Sequence, residues 1–264
     1  MLFELCDARI EVEVVAGTSA GAGVGAAYAA GRLELFERLM TQITARQALA
    51  YFDPTWPRQG LFLAQRAIDL IRPAIGERIE ALPRRFAAVA ADLETGEEVV
   101  LDHGSVADAV RASMAIPGIF TPHRWNGRWL VDGGLVEPVP VSAARALGAD
   151  FVIAVTTLPL AGFLDGDEGY PRLRTASECG EDSAHAEAGG ILDILAKSSR
   201  LIQSQIAQAR FRLDPPDFLI QPAAGDIGLF EFHRAVESIE AGREAARAAL
   251  PGLREALRAR GVRG

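Results

Sequence analysis

The chain switches repeatedly between short apolar runs and longer stretches with apolar residues three or four apart. The runs read as buried strands and the stretches as amphipathic helices. Leu2, Leu5 and Ile10 carry the second spacing with no capping residue before them, and read as the tail of a helix. Residues 12–16 read as a buried strand. Residues 20–30, "AGAGVGAAYAA", read as a helix of small residues closed by Gly31. Gly21, Gly23 and Gly25 inside that helix cost about 2–3 kcal/mol together relative to alanine. Close approach to a sheet is the expected compensation.

Helices are expected at about 32–49 and 61–72, on either side of the Pro- and aromatic-rich "YFDPTWPRQG". Two strands, 85–93 and 97–102, meet at "ETG", a tight-turn signal. A helix at 105–114 ends near Pro117. "RWLVDGG" reads as a short strand running into a glycine turn. "PVSAARALGAD" reads as a helix with Pro140 near its start and Gly148 near its end. "FVIAVTT" (151–157) reads as a buried strand. Residues 160–186 are rich in Gly, Asp and Glu and read as a long loop, either solvated or covering a site. Helices at about 188–212 and 230–248 flank "DFLIQP", a last strand candidate. The apolar stripe Ile191, Leu195, Ile202 and Ile206 reads as core packing, with a lipid-docking face as the alternative. Strands alternating with helices, with one hairpin between, predict an α/β three-layer fold. No repeat or linker divides the chain, so residues 1–264 read as one domain.

Composition narrows the function classes. A net charge of −8 argues against nucleic acid and against strong attraction to anionic lipid, though not against apolar contact with a membrane. Cys6 and Cys179 have no metal-ligand spacing and make no disulfide framework, so no metal site is expected. No apolar run approaches membrane-spanning length, and no basic segment leads into an apolar one at the N-terminus. A cytoplasmic protein, at most peripheral to a membrane, is the expectation. No cofactor is implied.

The chemistry is carried by "AGTSAGAG" (16–23). Gly17, Ser19 and Gly21 form G-x-S-x-G at a strand-to-helix junction. Such a turn presents the serine hydroxyl, and the following helix directs N–H groups and a positive dipole end toward it. The same glycines also suit a packing turn. "GAGVGA" matches the dinucleotide pattern G-x-G-x-x-A, but that motif should begin directly at the strand end, and here a turn intervenes. A serine nucleophile needs a base. His103 and His123 fall in expected turns, His185 in the acidic loop and His233 in the first turn of a helix. A triad in the order Ser, Asp, His could be drawn through Ser19, an Asp and His233, but an α/β-hydrolase places several strands before its serine, and here there is room for one. Asp132, in "WLVDGGLVEPVP", lies at a strand end beside Gly133 and Gly134. It reads either as a general base or as an Asx turn closing a strand.

"GTSAG" followed by "DGG" resembles the patatin-like phospholipase family, closest to its bacterial members. So do the intervening "ADLETGEEVVLDHGSVADAVRASMAIPGIFTP" and the segment "DGGLVEPVPVSAARALGAD". The resemblance covers about residues 5–157, with a helical part over about 187–260. It implies a three-layer α/β/α sandwich with a mainly parallel central sheet. It also implies a Ser–Asp dyad that hydrolyses lipid acyl esters, with Ser19 as nucleophile and Asp132 as base. Gly17, Ala20 and Gly21 would form the elbow and the remaining oxyanion donors, and Gly133 and Gly134 the turn beside the base. Family members begin with a strand and a G-G-G-x-[RK]-G loop whose N–H groups hold the oxyanion. Only eighteen residues precede Ser19, with Gly17 their single glycine. The expectation is therefore a fold without its first strand, and an impaired oxyanion hole. Each lost donor costs about 2.7–4 kcal/mol of transition-state stabilisation. A non-catalytic binding or regulatory module is the alternative.

Overall fold

The computed structural model describes residues 1–51, 53–55, 60–160, 190–225, 227–228 and 231–261. Cys179, His185 and nearly all of the loop expected at 160–186 lie outside the described residues. The chain begins with α1 (Leu2–Asp7), β1 (Val14–Thr18), α2 (Ala20–Ala29), α3 (Leu33–Thr41), α4 (Ala45–Ala50) and α5 (Gln65–Ile75). β2 (Arg85–Asp92) and β3 (Glu98–Leu101) precede α6 (Val106–Ser113). β4 (His123–Trp125) and β5 (Arg128–Asp132) lead to α7 (Val141–Ala146) and β6 (Ile153–Val155). Beyond residue 190 come α8 (Ile191–Leu213), β7 (Phe218–Ile220) and α9 (Ala235–Ala259).

β2 is the organising strand. It pairs in parallel with β1 and antiparallel with β3 and β5, and β5 pairs antiparallel with β4. β6 and β7 form a separate parallel pair. The sheet is thus mixed rather than mainly parallel. The reason is local: two tight hairpins enter it, and a hairpin can only join antiparallel strands. One is the expected "ETG" turn, where Asp92 Oδ1 accepts the N–H groups of Glu94 and Thr95. The other turns at Asn126–Gly127, both with positive φ, which is the preferred chemistry for a two-residue hairpin. It places His123 in β4, where a turn was expected.

Two cores make the outer layers. On one face, α2, α5 and α6 bury Ala22, Ala26, Ile68, Ile71, Val106 and Val110 against Phe86, Ala88 and Ala90 of β2. Small residues bring α2 close: a Cβ at Gly25 would lie 2.8 Å from Val15 Cγ1. On the other face, α7, α8 and β6 bury Val141, Ala154, Ala207 and Phe211, with Ala16 of β1 packed against them. α1, the segment after it and α9 cover β6 and β7 through Leu5, Ile10, Leu253 and Leu257.

Several helix boundaries differ from expectation. The helix expected at 32–49 is two helices, because Thr44 and Gln47 form a reciprocal capping box that starts α4. The next begins only at Gln65, since Leu61 and Phe62 are drawn into backbone bonds with Ile119. α9 passes Pro251 and runs to Ala259, where burial of Leu253 and Leu257 outweighs the missing hydrogen bond. The stripe on α8 is not core: Ile191 and Ile202 are exposed, and Ser204, Ala207, Gln208 and Phe211 face inward instead. This helix lies over backbone carbonyls that need donors, and Ser204 Oγ donates to the Pro159 carbonyl.

Candidate active site

A residue in a sheet has one partner on each flank. Ala88 and Val89 of β2 pair with both β1 and β3, while Ala90 and Ala91 pair with both β3 and β5. β1 and β5 therefore occupy the same flank of β2, end to end. They run in opposite directions and stop against each other, Thr18 beside Val89 and Asp132 beside Ala90. Ser19 and the carboxylate of Asp132 meet where the two strands abut.

Ser19 is the residue before α2 and adopts φ 56°, ψ −125°. A non-glycine residue there is strained by about 1–3 kcal/mol. Its side chain makes no capping bond to the helix, so the hydroxyl is left for other work. The turn is fastened on both sides. Ser19 N–H donates to Ser113 Oγ at 2.8 Å, and Thr18 Oγ1 donates to the Glu137 carbonyl at 2.8 Å. Gly17 is sterically required: a Cβ would stand 2.4 Å from the Gly21 carbonyl oxygen. A Cβ at Gly21 would meet nothing within 4 Å, so the start of α2 opens outward. Ala20 and Gly21 are exposed there, and the first N–H groups of a helix have no acceptor within it.

Asp132 is 1% exposed. Its Oδ1 accepts the Gly134 N–H at 2.7 Å, so the Asx turn exists. That turn fixes one oxygen and leaves Oδ2 buried without a hydrogen bond of ordinary geometry. Burial pushes the carboxyl up to about 6, and the facing Ser19 hydroxyl and the Gly134 N–H oppose that push. Its backbone is held by the N–H bond to the Ala115 carbonyl at 3.0 Å. Gly133 packs on β2, where a Cβ would lie 2.3 Å from the Val89 oxygen. One at Gly134 would lie 2.6 Å from Gln203 Nε2 of α8.

Behind this turn lies a carboxyl pair that sequence reading missed. Glu137, 2% exposed, accepts the Ser142 N–H at 3.0 Å and its hydroxyl at 2.6 Å. Burial, then the hydrogen-bonded Glu137 carboxyl, raise Glu98 to about 7, against the pull of Arg210 at 3.3 Å. Ser113 was missed as well. Its only sequence signal was its place in "RASMAIPGIF", within the block that carries the family resemblance.

Among the described residues, His103, His123 and His233 have their own surroundings apart from this turn. His103 bonds Asp102 at 2.8 Å and His123 lies 3.3 Å from Asp108. His233 lies in the short turn at 232–234 before α9. Among the described residues no cluster of His, Cys, Asp or Glu could hold a metal ion, and no helix is long and apolar enough to cross a membrane.

Comparison with known proteins places this geometry in context. The family model described as patatin-like phospholipase matches residues 1–145. An uncharacterized NTE family protein of Mycobacterium tuberculosis is 39% identical over 158 residues, covering 60% of this chain and 42% of the relative. A second, from the same organism, is 33% identical over 262 residues, covering 94% of this chain and 43% of the relative. A protein of Phaeosphaeria nodorum named lysophospholipase NTE1 is 27% identical over 265 residues, covering 94% of this chain and 17% of its own. The chain spans less than half the length of these relatives.

Proposed function

The chain belongs to the patatin-like phospholipase family, and from that premise we propose that it is a serine hydrolase of lipid acyl esters acting through Ser19 and Asp132. The observation that carries this reading is the abutment of β1 and β5, which sets the Ser19 hydroxyl against a buried carboxylate. Ser19 Oγ attacks the ester carbonyl while its proton passes to Asp132 Oδ2. The tetrahedral oxyanion faces the N–H groups of Ala20 and Gly21 and the positive end of α2. Collapse expels the alcohol, which takes the proton from Asp132 and leaves an acyl group on Ser19. A water then gives its proton to Asp132 and attacks the acyl carbon. When that second intermediate collapses, Ser19 leaves as the acyl carbon's departing group and recovers the proton, and the free acid is released.

A carboxylate is ordinarily too weak a base for this step. Burial that raises Asp132 to about 6 brings it near the operating range of a general base. Lipid esters fit the lysophospholipase named among the relatives. Peripheral contact with a membrane belongs to the same reading, supported by exposed Ile191, Leu201 and Ile202 on α8. The test is a fluorophosphonate probe. It should label wild type and leave Ser19→Ala unlabelled. A folded wild type that resists labelling would overturn the hydrolase and favour a non-catalytic binding or regulatory module.

A further inference from the structure

We propose that Ser113 is a positioning residue that clamps the nucleophile turn to β2 and decides which backbone N–H groups face the reacting oxygen; this rests on the reading of Ser19 as nucleophile. Ser113 ends α6 and is fully buried. Its Oγ donates to the Val89 carbonyl at 2.6 Å and accepts the Ser19 N–H at 2.8 Å. A hydroxyl has a single proton. With that proton committed to Val89, only a lone pair remains for Ser19, so the orientation of the group is fixed.

The anchor point is not arbitrary. Val89 is the β2 residue paired with Thr18, and its carbonyl is the surface on which Gly133 packs. Ser113 therefore ties the serine turn to the same atom against which the aspartate turn is seated. Two consequences follow for the chemistry. The strained φ of Ser19 is held in place through its own N–H. That N–H is also withdrawn from the oxyanion donors, which leaves the role to Ala20 and Gly21 at the open start of α2. Removing the acceptor frees the turn to relax, and a shift of the nucleophile by about 1 Å is enough to cost on the order of 100-fold in rate.

The test compares Ser113→Ala with Ser105→Ala, using a soluble p-nitrophenyl ester and the fluorophosphonate probe. Ser105 caps the opposite, N-terminal end of α6 by accepting the Asp108 N–H. Ser113→Ala should lower kcat and the labelling rate together by about 10- to 100-fold, with KM nearly unchanged and the acid limb of the pH profile in place. Ser105→Ala should lower the melting temperature and leave kcat alone. Ser113→Cys, of similar volume and weaker as an acceptor, should fall between wild type and alanine, and it carries the test if the alanine variant does not fold. Hydrogen exchange at the Ser19 amide gives a readout independent of activity, and should accelerate in both Ser113 variants. If wild type is never labelled, the nucleophile reading fails and the exchange measurement still judges the clamp. Wild-type labelling and Ser19 exchange in both Ser113 variants would overturn the proposal.

Discussion

The two turns that meet at Val89 and Ala90 are held by opposite means. The serine turn is strained in its backbone: Ser19 sits at positive φ, partly exposed, fastened by the Ser113 hydroxyl and by Thr18 on the Glu137 carbonyl. The aspartate turn is relaxed in its backbone, with φ −51° at Asp132, and closes by its own Asx bond. Its unfavourable feature is electrostatic, a carboxyl sealed from water and raised to about 6. One turn stores conformational strain and the other stores desolvation. Strain does not depend on pH, and desolvation of a titrating group does. The pair is therefore separable by experiment.

Asp132→Asn should have the largest effect. Asparagine can keep the bond to the Gly134 N–H but cannot take a proton, so kcat should fall by about 10²–10⁴. The same change should stabilise the fold. Asp132 is raised above its ordinary 3.8, so its contribution to stability is fully present below that value and is lost as pH rises toward 6. The advantage of the asparagine variant should accordingly grow between those values and then level off. It should reach on the order of 1–3 kcal/mol in thermal or urea unfolding. An advantage that stays flat with pH would break the assignment of desolvation to this turn.

The wild-type rate should show the same group. kcat/KM should drop about tenfold for each pH unit below about 6, since only the carboxylate accepts the serine proton. A limb near the ordinary carboxylate range would mean that Asp132 is solvated when the proposed reaction occurs. Ser19→Gly comes next. It should abolish labelling while raising stability by about 1 kcal/mol, because glycine adopts positive φ without strain. That gain should be the same at pH 5 and pH 8. The smallest effect is expected at Glu98→Gln. Glu98 is raised from 4.5 to about 7, so its contribution present at low pH fades as pH rises through neutrality. The glutamine variant should be the more stable above pH 7 by less than about 1 kcal/mol, since it also gives up the ion pair with Arg210. Unfolding at pH 4.5 and pH 8 measures that difference.

Much of the first half of the molecule was legible in its sequence. The strand–turn–helix at 14–29, the Gly31 cap and the turn after Asp92 all rest on backbone sterics over a few residues. The cap is visible in Gly31 at φ 67° and in the bond from Arg32 N–H to the Ala27 carbonyl. Some signals of the same local kind were present and overlooked, the Thr44–Gln47 box and the Asn126–Gly127 turn among them. The inward face of α8 was not legible. The most apolar positions there point outward, because the helix must offer Ser204 and Gln203 to the loops beneath it.

By itself the sequence determined that a serine would stand between a strand and a glycine-rich helix, and that an aspartate would end another strand beside two glycines. Both follow from local chain geometry, where glycine is needed for contacts that leave no space for a Cβ. Only the tertiary structure decided that these two ends would lie on one flank of β2. Sheet register sets that, and a slip of one residue would send every side chain to the other face. The same is true of Ser113, which reaches Ser19 across 94 positions of sequence. The rise in the pKa of Asp132 likewise belongs to the assembled fold, because desolvation exists only once the layers have closed over the carboxyl.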